Sequence, residues 1–389
     1  MDKKQSIISK TAVTAFYLAV IIEVMIVIID KSVFTNPIEG RLFQITFLLC
    51  FVKVCLTKYS RKEYLVIFLF CILGAVSYFI TERNEVIRLV MLIAACKNID
   101  MQKCLKLIFG MTLAGCTLII LLSVTGICGE VTRTMDYGRG GIETRYTLGM
   151  GHPNALQCMV WALTTLGLYL YGKKLNLMGY LLVLAGNIFF YLLSDSKTSL
   201  LVILIVMFSA YLTNRMQKQW IQQAVAWVGM VLTTCSILIS VLIAANAYRV
   251  YEYDWLINRS PVNTIWSVIN RLLNGRIRIL TETAYFEGTI TTWSLFSRPE
   301  NNYYFDMGWI RLFYWYGIIP GCIFVMVMLG IMVYCYRKKA YMEIVLITSF
   351  AIYSVVEAHA ISVYMARNYV FFLIGMYWYR LLSKEKAQL

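Results

Sequence analysis

Cys104-Leu-Lys-Leu-Ile-Phe-Gly-Met-Thr-Leu-Ala-Gly-Cys-Thr-Leu-Ile-Ile-Leu-Leu-Ser-Val-Thr-Gly-Ile127 carries a single charge, Lys106, in 24 residues. An α-helix needs about 20 apolar residues to cross a hydrocarbon layer of roughly 30 Å. In lipid every backbone N–H and C=O must be paired within the segment, so the run reads as a helix. A transmembrane barrel would need strands of alternating polarity, and this stretch is continuously apolar. Comparable runs fall at 11–30, 42–57, 64–81, 85–96, 154–171, 176–193, 198–213, 222–246, 308–334, 342–357 and 368–380. Two of them, 85–96 and 368–380, are short. The expected fold is therefore an all-α polytopic membrane bundle of about 12 (10–12) transmembrane helices, with residues 1–389 forming a single integral membrane domain. Composition agrees: at 60% hydrophobic and 15% charged, the chain lacks the polar surface that a soluble domain of 389 residues needs. The first run carries Glu23 and has no small-residue cleavage site, so it reads as a retained helix.

The net charge of +15 would suit a nucleic-acid partner, but it sorts by loop. Lys3, Lys4, Lys10, Lys58, Arg61, Lys62, Lys97, Lys103, Lys106, Lys173, Lys174, Arg215, Lys218, Arg337, Lys338, Lys339, Arg380, Lys384 and Lys386 share one side if both termini are cytoplasmic. That side is the cytoplasmic one by the positive-inside rule, so the basicity is mainly a topology signal and no nucleic-acid partner is expected. The opposite side holds 11 arginines and only two lysines, Lys31 and Lys197. A guanidinium fork pairs with phosphate oxygens two at a time, which an ammonium cannot do, so an anionic ligand at the outer face is expected. Pairing with nearby acids or lipid headgroups is the simpler alternative for any one of these arginines. The 11 cysteines lie almost entirely within spans, where a thiol acts as a small apolar group, and no spacing suggests a metal site.

Cytoplasmic connections are short and hold no P-loop, which excludes an ATP-driven pump. Polar mass gathers in a first outer loop, 128–153, and a large outer loop or cap, 247–307. A connection as long as the second is usually functional or disordered, and its many tyrosines and tryptophans argue for order. The amphipathic run Val268–Leu280 is expected as a helix along the membrane surface. No internal repeat suggests the inverted-repeat build of a secondary transporter.

Four outer stretches could carry chemistry. In Arg139-Gly-Gly-Ile-Glu-Thr-Arg145-Tyr-Thr-Leu-Gly-Met-Gly-His-Pro-Asn154, glycines 140, 141, 149 and 151 allow close approach to a ligand. Arg145 and His152 are then delivered to the mouth of a helix capped by Asn154. His152 could act as a base or phosphate partner, or be a loop histidine bonded to nearby backbone. Ser194-Asp-Ser-Lys-Thr-Ser199 places Lys197 where it could meet an anion, or forms an ordinary turn. Asn270-Arg-Leu-Leu-Asn-Gly-Arg276-Ile-Arg278 offers two more guanidinium groups, with solvated helix charge as the alternative. Asn301-Asn-Tyr-Tyr-Phe-Asp306-Met-Gly-Trp-Ile-Arg311 puts Asp306 at a span's outer end, where it could take a proton from a sugar hydroxyl or cap the helix.

In this order the four stretches, spanning about 130–325, resemble the O-antigen polymerase and ligase family, specifically polymerases of Gram-positive capsule or exopolysaccharide clusters. Arg145–Asn154 is similar to that family's R-x-x-L-G-x-x-H-P-N, Ser196-Lys-Thr198 to its S-R-T, and Asn270–Arg276 to its N-R-L-x-x-G-R. Asp306–Gly321 is similar to its aromatic entry to the next span. Lys197 stands where arginine is usual, and Met307 where a polar residue is usual. The ligases carry histidine at the position of Asp306, which favours a polymerase. The resemblance implies a GT-C-like fold with a large extracellular loop late in the chain. It also implies a glycosyltransferase at the outer face of a bacterial plasma membrane that uses no cofactor, nucleotide sugar or metal. Donor and acceptor would be lipid-linked oligosaccharides on undecaprenyl diphosphate. Membrane lipid and other capsule or exopolysaccharide assembly proteins would be partners. Arg145, Arg276, Arg278 and Lys197 would hold the diphosphate, and Asp306 or His152 would align or deprotonate the acceptor hydroxyl. A ligase-like transferase or a lipid-linked oligosaccharide flippase is the alternative, but a flippase needs charge inside its spans, and there it is sparse: Glu23, Lys53 and Arg88.

Overall fold

The computed structural model describes residues 3–136, 141–216, 218–359 and 362–382. Arg139, Gly140, Lys384 and Lys386 lie outside the described residues, as do the side chains of Lys3 and Lys4. The chain opens with α1 (Lys3–Asp30), α2 (Glu39–Cys55), α3 (Arg61–Thr81), α4 (Glu85–Ala95) and α5 (Met101–Val124). A hairpin of β1 (Thr132–Asp136) and β2 (Ile142–Tyr146) follows, then α6 (Pro153–Tyr171), α7 (Leu177–Ser194), α8 (Lys197–Arg215) and α9 (Gln219–Asn246). Three short helices, α10 (Tyr248–Asp254), α11 (Pro261–Leu272) and α12 (Arg276–Ile279), lead to α13 (Gly308–Tyr316). The chain closes with α14 (Ile318–Arg337), α15 (Tyr341–Tyr353) and α16 (Tyr369–Leu382).

Each apolar run is helical, but not each is a full span. Eight helices of the described chain are long and apolar enough to cross a membrane: α1, α3, α5, α6 with its short extension to Lys174, α7, α8, α9 and α14. α15 and α16 are apolar but shorter, and α2 and α4 have 17 and 11 residues. The run 308–334, read as one span, is two helices. Gly317 separates them with φ +98, and a Cβ there would lie 2.6 Å from the Leu295 O and the Phe296 Cα. The residues before it lend their carbonyls to the broken ladder: Ile318 N donates to Ser294 O at 2.9 Å and Ile319 N to Leu295 O at 3.0 Å. Irregular backbone beside a span survives where protein pairs its polar groups in this way.

Among the described residues the protein is thus an all-α, multi-pass architecture with one small β-hairpin. α15 packs against α6, α8, α9, α14 and α16, and Trp161, Tyr353 and Phe371 are fully buried there. Apolar side chains such as Phe68, Phe79, Leu182, Leu192 and Phe208 are exposed on α3, α7 and α8. Water would not tolerate so much apolar surface, and a bilayer solvates it. The charges within the bundle have hydrogen-bond partners there. Glu23 takes Arg88 at 3.1 Å and the Thr46 hydroxyl at 2.7 Å, and Lys53 donates to Thr57 and to the Lys97 carbonyl.

Candidate functional site

The hairpin, the α11–α12 segment, the turn after α15 and the start of α6 meet at one end of the bundle. In the hairpin Arg133 stands directly opposite Arg145, a like-charge placement that destabilises a strand pair unless anions intervene. Arg145 is buried, pairs with Glu143 and lies 3.7 Å from Asp195 at the end of α7, while Arg133 donates to the Gly151 carbonyl at 2.6 Å. Gly149 does not open the loop to a ligand as expected: a Cβ there would sit 2.9 Å from that of Ser123, so the glycine seats the loop on α5.

His152, not Asn154, is the N-cap of α6. Its Nδ1 accepts from Asn154 N at 3.1 Å, and Pro153 follows at the first helical position. Burial, reinforced by the charge of Arg133, lowers its pKa, so the ring is neutral near pH 7. With Nδ1 accepting, the proton sits on Nε2. His152 therefore offers this site an Nε2–H donor in that tautomer.

Asn270 explains the α11–α12 stretch: its backbone carbonyl takes Gly275 N at 2.8 Å and its side chain takes Arg278 N at 3.1 Å. That turn aims Arg276 inward, where it is buried and donates to Glu357 at 2.8 Å. Arg278, two residues on, is exposed and 3.8 Å from Glu282. α11 ends at Leu272 rather than running on to Leu280. It exposes Val262, Ile265, Val268 and Leu272 while burying Asn263, Ser267 and Asn270, the orientation of a helix whose apolar side faces lipid.

Asp306 is half-buried just before α13 and makes no hydrogen bond or ion pair among the described residues. Met307 occupies the N-cap position without a side-chain bond, so Asp306 does not cap the helix. Its charge bears on both His152 and Glu357. Lys197 is exposed at the first position of α8, two residues from Asp195, and Ser196 bonds Ser199 beside it. Of the residues expected from sequence, Arg145, His152, Arg276 and Asp306 are thus brought together, whereas Arg278 and Lys197 are exposed.

Sequence reasoning missed Glu357, whose side chain is 13% exposed. Burial and the Asp306 charge raise its pKa to about 7, against the opposing pull of Arg276, Arg367 and Lys31. The signal was there: 342–357 read as a span ending on an acid. Beneath the mouth lie His359 and Cys158 in contact at 3.4 Å, with Arg367 donating to the same sulfur. Several other outer arginines hold structure. Arg83 donates to the Asn301 carbonyl at 2.8 Å and stacks over Trp315. Arg311 stacks on the same indole and donates to the Phe305 carbonyl. Two apolar grooves lie elsewhere, one of about 550 Å³ between α8, α9 and α15 and one of about 330 Å³ among α3, α4, α14 and α16. Convergent charge, rather than either groove, marks the candidate site.

These features define a multi-pass helical membrane protein with a charge-rich mouth at one end. Comparison with protein-family models, curated proteins and solved structures returned no match.

Proposed function

We propose that the chain is a polysaccharide polymerase of GT-C type, joining undecaprenyl-diphosphate-linked oligosaccharide repeat units at the outer face of a bacterial plasma membrane, with both termini cytoplasmic. The observation that carries this reading is the convergence of Arg145, His152, Arg276 and Asp306. They come from three separate stretches of chain, and the charges of the other three all act on His152. In the proposed reaction an acceptor hydroxyl oxygen attacks the anomeric carbon, and the bond to the diphosphate breaks with its electron pair leaving on phosphate. Fixed guanidinium groups away from bulk water stabilise that developing charge strongly, and a carboxylate within reach of the hydroxyl accepts its proton. The exposed side of α11 suits a lipid-borne substrate, because it lets the segment lie against the membrane where the lipid diphosphate sits.

A ligase would use the same chemistry on another acceptor. A flippase fits less well, because Glu23 and Arg88 already pair with each other and Lys53 already bonds Thr57 and the Lys97 carbonyl within the bundle. The test is reconstitution of the purified protein with lipid-linked repeat units. Arg145→Ala and Arg276→Ala are each expected to lower chain extension by about 100-fold or more while leaving membrane insertion intact. Full-length polymer from both variants would refute the clamp.

A further inference from the structure

Glu357 belongs to none of the four motifs, yet the fold holds it firmly at the mouth. Its turn follows α15, with Glu357 N bonded to Tyr353 O at 2.9 Å and His359 N to Glu357 O at 2.8 Å. Trp309 N, near the start of α13, donates to Ser354 O at 3.2 Å, so the segment that carries Asp306 is pinned against the same turn. The groups acting on Glu357 are Asp306 before α13, Arg276 on α12, Arg367 before α16 and Lys31 after α1. Tyr353 of α15 and Cys158 of α6 also feel its charge.

The bond to Arg276 is incomplete. One guanidinium nitrogen, Nη2, reaches one carboxylate oxygen and Nη1 donates to the Leu273 carbonyl at 3.4 Å, whereas Nε is buried with no hydrogen-bond partner among the described residues. A buried donor left unmade is costly, and a diphosphate, with several oxygens and more charge than a carboxylate, can take two donors of the fork at once. Arg276 therefore keeps one buried donor that Glu357 does not take and that the oxygens of the proposed substrate can fill.

Resting on the polymerase reading, we propose that Glu357 takes the proton of the acceptor hydroxyl, and that the donor's diphosphate switches it on by drawing Arg276 away. Without that cation Glu357 keeps Asp306 as a like-charged neighbour, so its affinity for a proton rises when a donor is in place. The acceptor proton moves to Glu357 as the hydroxyl oxygen bonds to the anomeric carbon. The bond to the diphosphate breaks, its electron pair departs on phosphate, and Arg276 and Arg145 face the new charge. When the lipid diphosphate leaves, Arg276 returns and Glu357 releases its proton to water. Donor occupancy thus makes Glu357 the stronger base, and the acceptor proton goes to the ionised fraction, roughly a tenth at one pH unit below the raised midpoint; an empty site leaves the carboxylate more populated but weaker.

Infrared difference spectroscopy on the full-length protein in nanodiscs reads the switch directly, with farnesyl diphosphate as the probe. The protonated-carboxyl band that Glu357→Gln removes should titrate with a midpoint of about 7. That midpoint should move up by about one pH unit when the probe binds. Arg276→Gln should show the raised midpoint from the start and no further rise. With lipid-linked repeat units isolated from the host strain, Glu357→Gln should extend chains about 100-fold or more slowly while still binding farnesyl diphosphate. Glu357→Asp, which keeps the ionisable group, should recover part of the rate. Extension by Glu357→Gln at the parent rate overturns the proposal, as does an unmoved midpoint while the probe binds. If the parent makes no polymer although its midpoint rises, the polymerase reading fails and the base role with it, leaving only the carboxylate switch. If Glu357→Gln does not fold, the Glu357→Asp rate and the parent and Arg276→Gln midpoints decide.

Discussion

Arg276 and Arg278 stand two residues apart, and one is buried against Glu357 while the other lies in solvent near Glu282. Residue type could not separate them; the turn tied by Asn270 does. The same holds for acids, since Glu357 is raised to about 7 chiefly by burial, then by Asp306. An acid whose folded pKa lies above its unfolded one adds stability that is fully present below pH ~4.5 and fades as pH rises through the folded value. The parent's melting temperature relative to Glu357→Gln should accordingly fall between pH ~4.5 and ~7 and then level off. The loss is a few kcal/mol at most, at ~1.4 kcal/mol for each tenfold change in proton affinity. A trend of opposite sign would mean that the Arg276 pairing outweighs burial. The guanidinium and carboxylate candidates were legible because outer charge is scarce in an apolar chain. Which of them converge was not, because that depends on contacts between segments as far apart as 276 and 357.

At the scale of elements, hydropathy located the long apolar helices, since apolar continuity is what the bilayer demands of sequence, but not α10 or α12 in the large loop. Where helices break was less legible. The run 308–334 stays apolar straight through Gly317, and only the packing of residues 294–297 against that glycine shows why α13 and α14 are separate. Gly317→Ala would add a Cβ at a positive φ and within 2.6 Å of backbone, two strains costing about 2–4 kcal/mol together. The expected result is a lower melting temperature and lost hydrogen-exchange protection at the Ile318 and Ile319 amides, whose partners are the carbonyls of Ser294 and Leu295. Unchanged protection would mean that the loop does not hold the α14 N-terminus. The amphipathic signal near 268 was real but shifted: the helix begins at Pro261, capped by Ser260, and stops before Gly275.

Over the whole molecule, the charge pattern and the site make a joint demand. The loops expected in the cytosol carry the lysine excess, and the mouth built from Arg145, His152, Arg276, Asp306 and Glu357 lies at the opposite ends of the same helices. Lysine-rich loops resist translocation, so the mouth should face outward, which is where a lipid-linked glycan would arrive. Tyr285 is 81% exposed in the large loop, and Lys173 is exposed at the far end of α6. In a Cys128→Ser background, which removes the thiol nearest the outer loops, Tyr285→Cys should react with a membrane-impermeant maleimide in intact cells. Lys173→Cys should react only after the membrane is opened. The reverse pattern would put the guanidinium cluster in the cytosol, where the proposed polymerase could not meet its substrate, and the shared diphosphate chemistry would have to serve some other lipid.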